Sequence, residues 1–280
     1  MSPYLAAAVQ MTSTDDVAAN IAAAETLVTQ AVEQGAQLIA LPENAFYFRR
    51  EGTAMHPDGP MLAHPGVQAM QQLAKRHGVW ILIGSIRARE GGMDKPFNRA
   101  VLIADSGEVA AVYDKLHLFD VTFASGHRYA ESSQAVAGEE PVVAATPLGH
   151  IGLSICYDIR FPALYRAMAL AGAEILTVPA AFTRQTGEAH WRALLIARAI
   201  ENGAYVIAPG QCGEHPGGRE TYGHSLIIGP WGEVLAEADA TTPGVITARI
   251  DPARAAEIRA QLPVLTHHRD LPPVRVVSAD

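Results

Sequence analysis

The chain has 280 residues, of which 49% are hydrophobic and 18% charged, with 24 Gly, 18 Pro and two Cys. That length suits one large domain or two small ones with a sizeable core, and two cysteines exclude a disulfide scaffold, so a reducing, cytoplasmic setting is expected. With 21 Lys and Arg against 29 Asp and Glu the net charge is −8, which argues against a nucleic-acid partner. No apolar run approaches the roughly 18 residues of a membrane span, and the opening residues lack the charged stretch and cleavage site of a signal peptide.

Leu5–Met11 reads as a buried strand. Asp15–Gln34 carries Val17, Ile21, Ala24, Leu27, Val28 and Val32 at helical spacing, with Thr14 or Asp15 placed to cap its start and Gly35 its end. Leu38–Leu41 is strand-like and stops at Pro42. Strands are expected at Val79–Ile86, Arg99–Ala104 and Val109–Tyr113, the last two joined by the hairpin signal Asp105-Ser106-Gly107-Glu108. Ala163–Leu170 is the helix opened by Phe161-Pro162.

The second half repeats the first. Gly35–Pro42 has its echo in Gly172–Pro179, His77–Ile83 in Asn202–Ala208, and Leu102–Val109 in Ile227–Val234. Three echoes in one order predict two similar α/β halves whose apolar strands are covered on both faces. Packed face to face, the two sheets form a four-layer α-β-β-α sandwich. One domain is expected over residues 1–263, followed by an extended tail, 264–280, that packs on a partner subunit.

Cys156 sits where Ile151–Ile155 runs out of a strand toward the next helix, a position that favours thiolate. Cys212 follows another strand, and either cysteine alone is more often a small buried hydrophobe. A thiol nucleophile needs a base, for which His190 and His224 are candidates. His267-His268 lacks metal-ligand company. Zinc-ligand spacings and phosphate-binding glycine loops are missing, so neither a metal nor a cofactor is expected. Glu43 ends an apolar strand at the edge where α/β sites form, and Lys115 stands among apolar neighbours.

The segments Leu41-Pro42-Glu43, Tyr113–Phe119 and Gly152–Pro162 together resemble the three motifs of the nitrilase superfamily of carbon–nitrogen hydrolases. The resemblance runs from about Leu5 to Asp251. It implies the same four-layer sandwich, a homodimer or higher homo-oligomer joined through helices near Cys156 and through the tail, and a Glu43–Lys115–Cys156 triad with Glu131 as a second glutamate. In that arrangement Glu43 is the general base, Cys156 the nucleophile favoured as thiolate by Lys115, and Lys115 with the Tyr157 backbone N–H the oxyanion donors. Ala180–Trp191, Ala197–Asn202 and Tyr222–Ser225 resemble the branch holding deaminated-glutathione amidase and ω-amidase, with Gln211-Cys212-Gly213 closer to the former. The implied substrate is a small carboxylate-bearing molecule whose primary amide is hydrolysed through a Cys thioester with release of ammonia, deaminated glutathione first among the candidates. The alternatives are ω-amidase action on α-ketoglutaramate or α-ketosuccinamate, an N-carbamoyl amino-acid amidohydrolase, and a non-catalytic scaffold.

Phe46, Phe182 and Trp191 are candidates to line the pocket, with His190 beside them, and Arg184 or Thr186 to meet a carboxylate. The pair Arg49-Arg50 is a further candidate, although His190-Trp191 also fits simple helix packing. Asp158 and Arg160 read as structural supports of the turn after Cys156. Asp114 stands where the resemblance leads one to expect a cation.

Overall fold

The computed structural model describes residues 2–49, 59–124, 126 and 128–278. Arg50 lies outside them. In the first half the order is β1 (Tyr4–Gln10), α1 (Val17–Glu33), β2 (Ala36–Ala40), α2 (Pro65–His77), β3 (Trp80–Ala88), β4 (Phe97–Ile103) and β5 (Val109–Asp114). A small hairpin of β6 (Asp120–Thr122) and β7 (Arg128–Ala130) follows. The second half runs β8 (Val142–Thr146), β9 (Gly149–Leu153), α3 (Pro162–Leu170), β10 (Ile175–Thr177), α4 (Arg184–Asn202) and β11 (Tyr205–Ala208). A second hairpin, β12 (Cys212–His215) with β13 (Arg219–Tyr222), precedes β14 (Leu226–Ile228), β15 (Val234–Glu237), β16 (Gly244–Ile250) and α5 (Pro252–Gln261).

The two main sheets have matching strand orders, β16-β1-β2-β3-β4-β5 and β8-β9-β10-β11-β14-β15. Each has a parallel centre, β1-β2-β3 or β9-β10-β11, with antiparallel strands on both flanks. The echoes therefore fall on equivalent strands: β2 on β10, β3 on β11, and the β4–β5 hairpin on β14–β15.

Period-two geometry explains why these strands are apolar throughout. Ile39, Leu41, Ile81, Ile83, Val101 and Ile103 face α1 and α2, packing with Ala24, Val28 and Met70. The alternate residues Leu38, Ala40, Leu82, Ala100 and Leu102 face the second sheet, meeting Leu153, Ile175, Ile207 and Ile227. On the far side Leu176, Val178, Val206 and Leu226 pack under α3 and α4 against Leu164, Met168, Trp191 and Leu195. Three apolar layers between four structural layers give the sandwich. Each fully buried aliphatic side chain contributes about 1.5–3 kcal/mol.

Helix boundaries shift slightly from expectation. Asp16, rather than Thr14 or Asp15, caps α1, its carboxylate accepting from the Ala19 N–H at 3.0 Å. Gly35 stands one residue past the cap residue Gln34 at φ 88°, where a side chain would be strained. Polar Asn20 lies on the buried face of α1, and its amide bonds the Thr14 and Phe46 carbonyls at 2.8 and 3.0 Å, fixing the strand ends near the site. Among the described residues no helix is long and apolar enough to cross a membrane. Past Gln261 the described chain makes only turns, then runs without helix or strand, exposing Leu271, Val274, Val276 and Val277.

Candidate active site

The carboxyl ends of β2, β9 and β10 converge, which brings Glu43, Cys156 and Ala181 together. Gly84 of β3 makes the convergence possible. A Cβ there would lie 2.1 Å from the Leu41 carbonyl oxygen and 2.3 Å from Pro179 Cβ, so only glycine allows these loops to close up.

Cys156 begins a short 3-10 turn, Cys156–Arg160, with φ 49°. A non-glycine residue in the left-handed region costs about 1–2 kcal/mol and persists only where its surroundings hold it. Its own N–H donates to the Pro179 carbonyl at 2.9 Å. Buried Asp158 accepts from the Ile155 N–H and the Tyr113 hydroxyl, both at 2.8 Å, and from the His117 N–H at 3.0 Å, with His117 Nδ1 at 2.7 Å. Arg198, buried in α4, donates from Nε and Nη2 to the Ile159 carbonyl at 2.9 and 2.7 Å. The turn bearing Cys156 is thus fixed from both sides.

Lys115 follows β5 and is 2% exposed, which a cation tolerates only when paired. Its ammonium donates to Glu43 Oε1 at 3.0 Å and to Glu131 Oε2 and Oε1 at 2.9 and 3.2 Å. Asn98 of β4 reaches the same two carboxylates, its Nδ2 donating to Glu43 Oε1 at 3.0 Å and to Glu131 Oε1 at 2.9 Å. Glu43 Oε2 accepts from the Ala181 N–H at 2.8 Å, and Glu131 Oε2 from the Phe119 N–H at 2.7 Å. The carbonyl of Glu43 is held in turn by Gln211 Nε2 at 3.0 Å.

These contacts set the protonation states. Burial raises the Glu43 carboxyl, but the charge and hydrogen bond of Lys115, with bonds from Cys156 and Ala181, outweigh it and hold Glu43 below the usual carboxylate range. Burial lowers Lys115, yet the charges of Glu131, Glu43 and Cys156 keep it well above the ordinary lysine value. Burial and then the charge of Glu43 push the Cys156 thiol well up, and Lys115 only partly opposes them. Lys115 acts in the thiolate-favouring direction expected from the sequence, but burial and Glu43 outweigh it. Glu43 is thus shifted toward its charged form and Cys156 toward its neutral one, each by the balance of burial and the charges beside it.

The group lies in a cavity of about 280 Å³ lined also by Tyr157, Phe119, Tyr129, Phe182 and Thr186, and by five arginines: Arg49, Arg87, Arg128, Arg160 and Arg219. Five guanidiniums and Lys115 against two glutamates make this a cationic recess in a protein of net charge −8.

The carbon–nitrogen hydrolase family profile matches residues 5–260. The chain belongs to the carbon–nitrogen hydrolase family. Deaminated glutathione amidase of Synechocystis sp. is 47% identical over 272 residues, covering 95% of this chain and 98% of its own. The C. elegans NitFhit protein superposes with a TM-score of 0.85 at 34% identity, over 96% of this chain and 66% of that longer one. A glutamate-to-glutamine variant of the Nesterenkonia sp. AN1 amidase, carrying the acetamide moiety of fluoroacetamide covalently on its active-site cysteine, superposes with a TM-score of 0.76 at 26% identity, over 92% of this chain and 96% of that one.

Not every residue singled out from the sequence of this hydrolase reaches the cavity. Glu43, Lys115, Glu131, Cys156, Tyr157, Phe182 and Thr186 line it. Phe46 does not: it is 1% exposed in the core under α1 and α2, its ring filling the space a Cβ on Gly66 would need. Trp191 packs in the core beneath α4, with its Nε1 donating to the His224 carbonyl at 2.8 Å. Arg184 faces solvent and pairs with Glu188 and Glu220. His190 is exposed, its Nδ1 3.3 Å from both terminal nitrogens of Arg160, and His224 faces Glu237 at 3.4 Å, so neither lines the cavity as a base for Cys156. Cys212 is buried, with Thr12 Oγ1 3.3 Å from its sulfur. Asp114 is accounted for by Arg99, which grips it through two bonds of 2.7 and 2.8 Å.

Other residues at the site were missed, Arg87, Arg128 and Tyr129 among them. Arg160, read as structural, lines the cavity with its guanidinium over the Tyr157 and Phe182 rings. Arg219 lines it from β13, and Asn98 bridges the two glutamates from the start of β4. The only signal available for Asn98 was a polar pair, Asn98-Arg99, at the head of the apolar run Ala100–Ile103.

Proposed function

We propose that this hydrolase cleaves the amide bond of a small dicarboxylate through a Cys156 thioester, and that deaminated glutathione is its substrate. The observation that carries the reading is the Glu43–Lys115–Glu131 cluster, joined by ammonium–carboxylate contacts of 3.0 and 2.9 Å, beside Cys156 in an arginine-lined cavity.

Glu43 takes the thiol proton as sulfur attacks the amide carbonyl. Lys115 and the Tyr157 N–H receive the oxyanion, each donor being worth roughly 10²–10³ in rate. Collapse of the tetrahedral adduct breaks the C–N bond as Glu43 returns its proton to the departing nitrogen. Water then attacks the thioester, again giving a proton to Glu43, which passes it to the leaving thiolate. Glu131 and Asn98 hold Lys115 and Glu43 in register.

Deaminated glutathione is a 2-oxoglutaryl group joined through an amide to cysteinylglycine. It contains no primary amide, so its leaving group is a dipeptide amine, and ammonia departs only from a primary amide such as α-ketoglutaramate, which carries the same acyl group. The acyl half brings a carboxylate close to the scissile carbonyl. Arg160, four residues after Cys156 and bonded to an imidazole rather than a carboxylate, is our assignment for that anion, with Phe182 and Thr186 beside it.

We place the protein in the cytoplasm as a homodimer. Free thiols at Cys156 and Cys212 and the exposed apolar residues of the tail support this, and light scattering in solution tests the stoichiometry. The functional test is incubation with deaminated glutathione. Equimolar 2-oxoglutarate and cysteinylglycine are expected, with production lost in C156A, and persistent production by a folded C156A protein would overturn the nucleophile.

A further inference from the structure

The cavity holds a second guanidinium whose surroundings differ from those of Arg160. Arg219, on the β12–β13 hairpin, lies between the Phe48 ring at 4.9 Å and the Tyr129 ring at 5.2 Å. Its Nε is buried without a hydrogen-bond partner, and no carboxylate among the described residues pairs with it. Two aromatic faces flank the guanidinium, and its buried Nε is left without an acceptor from the protein. The arrangement pre-orders an arginine for an anion that the protein itself does not supply.

Arg219 and Arg160 are joined along the cavity wall by a run of rings. From Arg160 it passes through Tyr157 at 5.9 Å, then Phe119 at 5.0 Å from Tyr157, then Tyr129 at 5.1 Å from Phe119, and so to Arg219. The two guanidiniums are therefore linked along the wall by aromatic faces, with the Cys156 turn at the Arg160 end. A ligand matching this pattern has two carboxylates with an uncharged chain between them, one near the scissile carbonyl and one far out on the leaving group.

We infer that Arg219 binds the terminal carboxylate of the leaving group and so selects a peptide-like amine over ammonia. This rests on the reading of Cys156 as nucleophile and of deaminated glutathione as substrate, and it assigns the specificity of that same site. A primary amide carrying the same acyl group engages Arg160 but has nothing to offer Arg219.

The test compares kcat/KM for deaminated glutathione and α-ketoglutaramate in wild type, R219Q and R219K. A charge-assisted bond beside two aromatic rings predicts that the ratio of the two values falls about 10- to 100-fold in R219Q, chiefly through KM for deaminated glutathione, and is partly rescued in R219K. Blocking the terminal carboxylate of deaminated glutathione as a carboxamide should cost wild type a similar factor and cost R219Q little more. An unchanged ratio in R219Q, or an equal loss on both substrates that R219K does not rescue, would overturn the assignment while leaving the reaction in place. Wild type that turns over α-ketoglutaramate but not deaminated glutathione would instead overturn the substrate reading, and this inference with it.

Discussion

Replacing Glu43 by glutamine separates two properties that are easily taken for one, cysteine reactivity and turnover. The carboxylate accepts from Lys115 and Asn98 on one oxygen, both at 3.0 Å, and from Ala181 on the other at 2.8 Å. A glutamine amide has one oxygen, and Lys115 with Asn98 will claim it, leaving its NH2 against the Ala181 N–H. One buried donor then goes unpaired at a cost of about 1–3 kcal/mol, which should lower Tm by several degrees. Catalysis loses its general base, worth about 10²–10⁴ in kcat/KM. The thiol moves the other way. Burial still holds it up, but the charge and hydrogen bond of Glu43 no longer do, while Lys115 still lowers it. In E43Q, the pH at which iodoacetamide alkylation of Cys156 reaches half its maximal rate should therefore shift down as kcat/KM collapses. Retention of more than a tenth of wild-type kcat/KM, or an upward shift of the alkylation profile, would refute the assignment of Glu43 as both base and thiol-suppressing charge.

The other expectations concern the scaffold. D158N leaves two of the donors on Asp158 facing an NH2 and should cost about 3 kcal/mol by thermal or urea unfolding with a fall in kcat, whereas a loss below about 1 kcal/mol would show that the turn is held by other means. G84A forces the Leu41 and Pro179 loops apart, so about 1–3 kcal/mol of stability should go together with a kcat loss larger than any KM change. F46A should destabilise by about 3–5 kcal/mol and leave the ratio of kcat/KM between substrates untouched, since a change of ratio would return Phe46 to the pocket. Burial lowers the pKa of His215 from 6.5 to about 4, against opposing support from the Ser13 carbonyl. The unfolded state thus binds the extra proton first, and stability present above pH 6.5 is lost toward pH 4, by roughly 3 kcal/mol. H215N should flatten that part of the curve of unfolding free energy against pH, and an unflattened curve would place the acid sensitivity elsewhere.

The sandwich was legible because the Gly35–Pro42 and Gly172–Pro179 echoes mark equivalent strands, and because a strand such as Leu38–Leu41 has no polar face to show to water. α2 was not among the elements read, although Pro65 at its start and left-handed Gly78 at its end carry the usual signals. Glu43, Lys115 and Cys156 stood out since each breaks or ends an apolar run. The wall of the cavity was another matter. Whether an aromatic such as Phe46 or Trp191 faces a core or a pocket depends on what packs against it, here Gly66 and the residues under α4, and neither contact is local. Arg184 is satisfied by Glu220 from another hairpin, while Arg219, one residue earlier in that strand, is turned inward. The upward push on the Cys156 thiol was hidden for a similar reason. Its largest influence is burial, which no spacing rule reports.

The most direct test of the central claim is mass analysis of the protein acid-quenched within milliseconds of mixing with excess deaminated glutathione. The account predicts a 2-oxoglutaryl thioester on the peptide containing Cys156, formed with a burst of cysteinylglycine and absent from C156A. Full turnover with no acyl adduct and no burst, in a protein whose C156A form also turns over, would contradict it.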